Sequence, residues 1–207
     1  MMIDRAGYPF IAGALIPAVA LAAIGQPLWS SPCVAVALAF LFFFRDPERH
    51  AEAPADTVIS PADGRVMVAG PPEPNAAPPG AWTQVSVFLS PLDVHVNRIP
   101  VSGRVTRVDY HRGAFRAAYK PEATIENERN EIWIEGNGRT VVCRQITGVL
   151  VRRVVCRVKA GDEVRAGQRF GVMKFGSRID LFLPEGTRLL VAPGDRVKAG
   201  LTRLATL

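Results

Sequence analysis

A nine-residue pattern near the C-terminus occurs twice, with five of its positions identical. Lys159-Ala160-Gly161-Asp162-Glu163-Val164-Arg165-Ala166-Gly167 returns 33 residues later as Ala192-Pro193-Gly194-Asp195-Arg196-Val197-Lys198-Ala199-Gly200. Each copy places Gly-Asp at a tight turn, then an inward valine, then a second glycine where strong twist or a positive φ is wanted. Two such turns in one chain call for short strands that fold back on each other. The other apolar runs agree: Thr83 to Leu89, Gly103 to Tyr110, Glu131 to Ile134 and, with interruptions, Thr140 to Val158 are short and β-branched. No stripe of period 3.6 competes with them. The expected fold is mainly β (α+β).

Ahead of this β-rich region lies a different kind of sequence. Phe10 to Gly25 carries no charge, and after Gln26-Pro27 a second uncharged run extends from Leu28 to Phe44. As helices these would reach ~24 and ~26 Å, both short of the ~30 Å hydrocarbon core, so a shallow or tilted hairpin is expected in place of two full spans. Arg5 precedes the pair, and Arg45 and Arg49 follow it, which puts both ends of the hairpin and the body on the cytoplasmic side of the cell membrane. A cleaved signal peptide is the competing reading, and it leaves the second run, with its closing Phe42-Phe43-Phe44, unexplained. The expected division is a membrane-associating hairpin at 1–46 and a β-rich domain at 47–207, its folded part starting near Thr57. The proline-rich stretch from Gly70 to Gly80 reads as a long exposed loop.

Composition narrows the partners. Asp4 and Arg5 cancel, so the formal charge of +6 belongs to the chain from Arg45 onward. A basic body beside an apolar leader suits an anionic lipid surface. No basic strip studded with aromatics is present, so nucleic acid is not an expected partner. Cys33, Cys143 and Cys156 are an odd number without C-x-x-C spacing, which suggests neither a disulfide framework nor a metal site; reduced thiols are expected.

The paired Gly-Asp turns resemble the barrel-sandwich hybrid of lipoyl and biotinyl carrier domains. In such domains the modified lysine sits on a protruding hairpin about 16 residues after the turn. Counted from Gly161, that position is Ser177, and Lys174 falls three residues early. A carrier is disfavoured, while an exposed tip presenting chemistry at Ser177 is retained.

Phe175-Gly176-Ser177-Arg178 is a common turn sequence on its own. Together with Ser60-Pro61-Ala62-Asp63-Gly64, Leu92-Asp93-Val94-His95-Val96-Asn97-Arg98-Ile99-Pro100 and Asn127-Glu128-Arg129-Asn130, in this order behind an apolar leader, it resembles the short bacterial and archaeal-type subclass of the phosphatidylserine decarboxylase family. The resemblance covers Pro47 to Leu207. It implies a proenzyme that cuts itself between Gly176 and Ser177 by serinolysis, giving a β chain 1–176 and an α chain 177–207. It also implies a pyruvoyl cofactor derived from Ser177, whose carbonyl takes phosphatidylserine as a Schiff base and yields phosphatidylethanolamine. Glycine before the serine removes bulk around the attacked carbonyl, and the serine needs activation because an unassisted hydroxyl is a poor nucleophile.

The resemblance points to His95 in decarboxylation and to Asp63 in self-cleavage. Larger relatives carry a second histidine three residues after the first, and here Arg98 stands in its place. Two routes stay open: His95 serves both steps, or cleavage relies on Asp63 and turn strain. Arg178, Arg98 and His111 are candidate substrate contacts, a guanidinium forking well onto carboxylate or phosphate. For His95 a packed strand histidine is the plainer reading, for Asp63 a turn-forming Asp-Gly, and for Arg178 a solvated hairpin charge. Glu128 and Arg129 are expected to form an ion pair. The rival functions are a pyruvoyl decarboxylase of a soluble amino acid and a non-catalytic membrane-tethered adaptor with a lipoyl-like barrel. A homodimer is compatible with a β-rich enzyme of this size, though no interface is specified.

Overall fold

The computed structural model describes residues 2–51, 54–149, 154–174 and 177–207. It divides into two compact units, Met1–Glu48 and Arg49–Leu207. In the first, strand β1 (Met2–Ile3) pairs antiparallel with β2 (Arg45–Asp46) and closes a hairpin of helices α1 (Tyr8–Ala23) and α2 (Pro27–Phe43). Small residues let the helices approach: Ala14, Ala18 and Ala37 are buried, while Ile16, Val19, Leu28, Trp29 and Leu38 are exposed. A Cβ at Gly7 would stand 2.5 Å from the Phe44 ring, so only glycine fits where the chain enters α1. A stretch from Arg5 to Ala23 is long and apolar enough to cross a membrane, and α2 is a shorter apolar helix. The pair suits membrane association.

The second unit is mainly β. Its strands are β3 (Thr57–Ile59), β4 (Gly64–Gly70), β5 (Trp82–Leu89), β6 (Val96–Arg98), β7 (Gly103–His111), β8 (Arg129–Gly136), β9 (Arg139–Ile146), β10 (Val154–Cys156), β11 (Glu163–Val164), β12 (Arg169–Met173), β13 (Ser177–Pro184), β14 (Arg188–Leu189), β15 (Arg196–Val197) and β16 (Arg203–Thr206), with a single-turn helix α3 (Ala123–Glu126) before β8. Eight strands form one curled sheet in the order β11-β7-β8-β9-β13-β5-β4-β15; β10-β12-β6 and β14-β16-β3 form two small sheets. The apolar runs named above become β5, β7, β8 and β9. Between β8 and β9, Asn137-Gly138, with φ of 53° and 71°, makes the tight two-residue hairpin those torsions favour. The inner face buries Val85, Val87, Leu89, Ile132, Ile134, Cys143, Ile179 and Leu181 in one continuous core.

The nine-residue repeat occupies matching places. In both copies the aspartate side chain caps its own turn, Asp162 accepting from Lys159 N and Asp195 from Ala192 N, each at 2.9 Å. The turns dock on two further segments that also match, Pro61-Ala62-Asp63-Gly64-Arg65-Val66 and Pro100-Val101-Ser102-Gly103-Arg104-Val105. Val105 N donates to Asp162 O, and Val66 N donates to Asp195 O. Ile59 N donates to Pro100 O while Arg98 N donates to Pro61 O, so the two halves clasp each other reciprocally. This second repeat, Pro-x-x-Gly-Arg-Val, was present in the sequence and masked by its short length.

One expectation is corrected. Ser177 does not sit at an exposed tip; it is fully buried and opens β13, which runs between β5 and β9. The count from Gly161 assumed that the strands around residue 175 form one hairpin. Instead β12 belongs to a small sheet and β13 to the large one, so the chain changes sheets between Met173 and Ser177.

Candidate functional site

Ser177 faces Leu89 across the β13–β5 ladder, and its Oγ has no hydrogen-bond partner among the described residues. A buried hydroxyl left unsatisfied costs of order 1–3 kcal/mol, and such groups in native folds call for a reason. Gly176, the other half of the expected cleavage site, lies outside the described residues.

The segment that follows Leu89 turns sharply. Asp93 sets the turn: its carboxylate accepts from Ser90 N at 2.8 Å, and its backbone N–H donates to Ser90 O. The turn delivers His95, 1% exposed, to the start of β6. His95 Nδ1 lies 2.9 Å from Asp93 O. A carbonyl only accepts, so Nδ1 carries the proton, and Nε2 becomes the ring atom where the neutral tautomer accepts one. His95 O in turn accepts from Met173 N. The 89–95 segment therefore pairs with Ser177 at one end and with Met173 at the other, bracketing the sheet change from both sides. His95 and Ser177 are brought to the same end of the sheet by this topology.

Asp63 is differently engaged. Arg49 grips both of its oxygens, at 2.5 and 2.8 Å, and Ala199 N donates to Oδ1 at 2.8 Å. In the matching half, Ala166 N donates to the Ser102 hydroxyl at 3.0 Å. Asp63 thus fills a place that the fold also fills with an uncharged serine. Arg98 is buried and donates to Gly167 O at 3.0 Å; a Cβ on Gly200 would meet its Cδ at 2.8 Å, which is why glycine closes the second repeat.

Arg178 is fully buried, its side chain on the face opposite Ser177. Its Nε donates to Asp180 at 2.5 Å, and one terminal nitrogen bonds Glu73 from the proline-rich loop and Ser86 Oγ from β5 at 3.0 Å. Burial alone would lower its pKa, but Asp180 and Glu73 outweigh that and hold it above the ordinary arginine value. Asp180 also accepts from Thr124 Oγ1 at 2.6 Å. Through Nε and this terminal nitrogen the guanidinium braces β13, while its other terminal nitrogen, Nη1, has no hydrogen-bond partner among the described residues.

His111 stands apart. Arg178, Ile146, Arg129 and His111 form one row across four strands, which puts His111 roughly 14 Å from β13 at about 4.8 Å per strand. It lines a cleft of about 480 Å³ on the outer face with Arg107, Arg129, Glu131 and Trp133. Arg129 pairs with Glu131 there, in place of the expected Glu128. Arg144, also on this face, has its pKa lowered by burial, a pull that Glu131 and Asp180 only partly offset and that Arg129 reinforces.

Sequence reasoning missed Glu73, Ser86, Thr124 and Asp180, the partners of Arg178. The alternation Arg178-Ile179-Asp180-Leu181 was a signal, since a strand with a buried polar face needs partners for it. It also missed Asn127, whose amide donates to Arg116 O and Thr147 O, both at 2.8 Å, and ties two loops together. No cluster of three or more potential metal ligands occurs among the described residues.

The fold and site define a mainly β protein with a buried serine at the head of a central strand and, earlier in the sequence, an apolar helical hairpin. A family model described as phosphatidylserine decarboxylase matches residues 36–205. A phosphatidylserine decarboxylase proenzyme of Nitrosomonas europaea is 44% identical over 205 residues, covering 99% of this chain and 94% of that protein. Proteins of the same description from Nitrosomonas eutropha and Pelodictyon phaeoclathratiforme are each 42% identical, over 99% and 91% of this chain and 94% and 91% of their own lengths. The chain belongs to the phosphatidylserine decarboxylase family, whose members are in general pyruvoyl-dependent and made as proenzymes.

Proposed function

We propose that this chain decarboxylates phosphatidylserine to phosphatidylethanolamine with a pyruvoyl group made from its own Ser177. The observation that carries this reading is the buried Ser177 Oγ, which no described residue satisfies, at the first position of a central strand. The residues present fit a group formed in place: the position is enclosed, and a histidine with a defined tautomer borders the same end of the sheet.

Cleavage begins as Ser177 Oγ bonds to the carbonyl carbon of Gly176, and the C–N bond breaks as the hydroxyl proton is passed to the nitrogen. β-Elimination of the resulting ester releases residues 1–176 as a carboxylate. Water then replaces the nitrogen, which leaves as ammonia. Once formed, the pyruvoyl group supplies an electron sink for the electrons set free when carbon dioxide departs.

The chain's own residues do the rest. His95, with Nδ1–H held by Asp93 O, presents Nε2 as the atom that first takes up a proton from water and then, as the imidazolium, delivers it to the product carbon. Asp63 acts as a positioning residue for cleavage: through Ala199 N and Arg49 it fixes the turn beside β4, the neighbour of β5. Arg98 fixes the opposing turn through Gly167 O. Arg178 holds β13 in register once its first residue becomes a chain terminus. The positive residues flanking the helical hairpin support a body on the cytoplasmic face of the membrane.

Intact-mass measurement of the purified chain tests the reading. Two chains are expected, the smaller beginning at position 177 with a blocked end that reacts with carbonyl reagents. Ser177→Ala is expected to remain whole and inactive. A single unmodified chain that still turns over phosphatidylserine would overturn the proposal.

A further inference from the structure

In the β-rich unit, the described residues include eight large apolar side chains that are exposed, and six of them lie at one end of the large sheet: Leu92, Tyr110, Phe115, Tyr119, Ile125 and Val149. That is the end where β13 begins. Leu92, 72% exposed, is carried by the turn between Leu89 and His95. Tyr119, 60% exposed, packs its ring edge-on against Phe88, which lies across from Arg178. Val149, also 60% exposed, follows Thr147, whose carbonyl is tied through Asn127 to the loop bearing Phe115. Three connecting segments from separate parts of the sequence, after β5, between β7 and β8, and after β9, thus form one apolar rim around the end that holds Ser177 and His95.

Scattered exposed apolar residues need no explanation, but six of eight gathered at one end do. Water offers nothing to such a rim, whereas the headgroup and upper acyl region of a bilayer accepts leucine, valine and tyrosine side chains well. Ser177 and His95 are 0% and 1% exposed, so a lipid substrate has to be drawn partly out of its leaflet to reach them. A rim that seats in the leaflet shortens that transfer. We propose that Leu92, Tyr119 and Val149, with their apolar neighbours, form a bilayer-seating rim that delivers phospholipid to the Ser177 end of the sheet, a membrane contact additional to the helical hairpin. This inference rests on the reading of the substrate as a lipid.

The test uses the full-length chain and two substrates: phosphatidylserine in phosphatidylcholine vesicles, and short-chain phosphatidylserine kept monomeric. In the variant Leu92→Ser/Tyr119→Ser/Val149→Ser, kcat/KM on vesicles is expected to fall roughly tenfold or more. On the monomer it should change less than about twofold, since the reacting groups are untouched. A control, Leu190→Ser/Leu201→Ser, removes the two exposed leucines elsewhere and should leave both values alone. Leu92→Trp should show blue-shifted fluorescence on mixing with vesicles and quenching by brominated lipid, measured as the difference from the parent chain. Equal losses on vesicles and monomer, or no loss on vesicles, would overturn the rim. So would an unshifted Leu92→Trp signal. A parent chain that decarboxylates neither substrate would refute the proposed reaction instead, and the fluorescence of Leu92→Trp then decides the rim by itself.

Discussion

Replacing Arg178 by methionine removes the one cation that two carboxylates share inside the sheet. Glu73 keeps 18% side-chain exposure and can turn to solvent, but Asp180, at 0%, retains the Thr124 hydroxyl as its hydrogen-bonding side chain and only the unbonded attraction of Arg144 as a counter-charge. Breaking a buried pair by deleting one member costs about 3–5 kcal/mol, because the remaining charge is stranded. For a unit of this size that corresponds to a fall in Tm of roughly 6–20 °C. Burying an ion pair is itself expensive, so Arg178→Met/Asp180→Leu should recover most of the loss by putting apolar volume where the charges were. Melting of the two variants against the parent, at one protein and salt concentration, measures both. Cleavage at Ser177, followed by gel well below the lower Tm, should be lost or slowed in the single variant, since β13 is no longer braced to β5 and the proline-rich loop. A single variant as stable as the parent, or a double variant no better than the single, would refute the brace.

His95→Ala should leave two chains on a gel yet lower decarboxylation by about 10²–10⁴, the usual worth of a positioned proton donor. Full turnover would remove His95 from the mechanism. Asp63→Ser copies the residue at the matching position, keeping an acceptor for Ala199 N while losing the Arg49 pair; cleavage should slow and Tm should drop by several degrees, with kcat of the already processed fraction little changed. Asp63→Ala, which also loses the acceptor, should be worse on the first two measures. Burial raises the pKa of the Cys143 thiol far above its ordinary value, and of Cys156 less fully buried beside it. The reactive thiolate is therefore scarce at neutral pH, so iodoacetamide should label Cys143 only in denaturant, as read by peptide mass; rapid labelling in the folded chain would contradict that burial.

Much of this was legible in the residues, for reasons that can be named. The Gly-Asp turns announced themselves because a tight turn demands both a special torsion and a side chain that caps it, leaving a strict local signature at Gly161-Asp162 and Gly194-Asp195. The strands at Thr83 to Leu89 and Glu131 to Ile134 showed through their β-branched content. Burial of Ser177 did not, because which sheet a strand joins is decided by partners distant in sequence: β5 and β9 come from residues 82–89 and 139–146. The same holds for Arg178, whose neighbour Glu73 lies 105 residues away. Asp63 was legible only in part. An Asp-Gly pair serves equally as a turn and as a reactive acid, and only the parallel with Ser102 showed how much of its environment the fold requires regardless of charge.

The strand that begins at Ser177 lies between β5 and β9, and further along β15 pairs with β4 and β16 with β3. Residues 177–207 are therefore threaded through three separate places in the remainder of the molecule. Cutting the backbone before Ser177 would produce two polypeptides in the covalent sense alone. Neither could leave the other without dismantling the central sheet, so dilution should never separate them, and exchange of fragments between molecules should be no faster than global unfolding. Maturation in such a chain is a one-way event that alters connectivity and leaves the topology of contacts where it was.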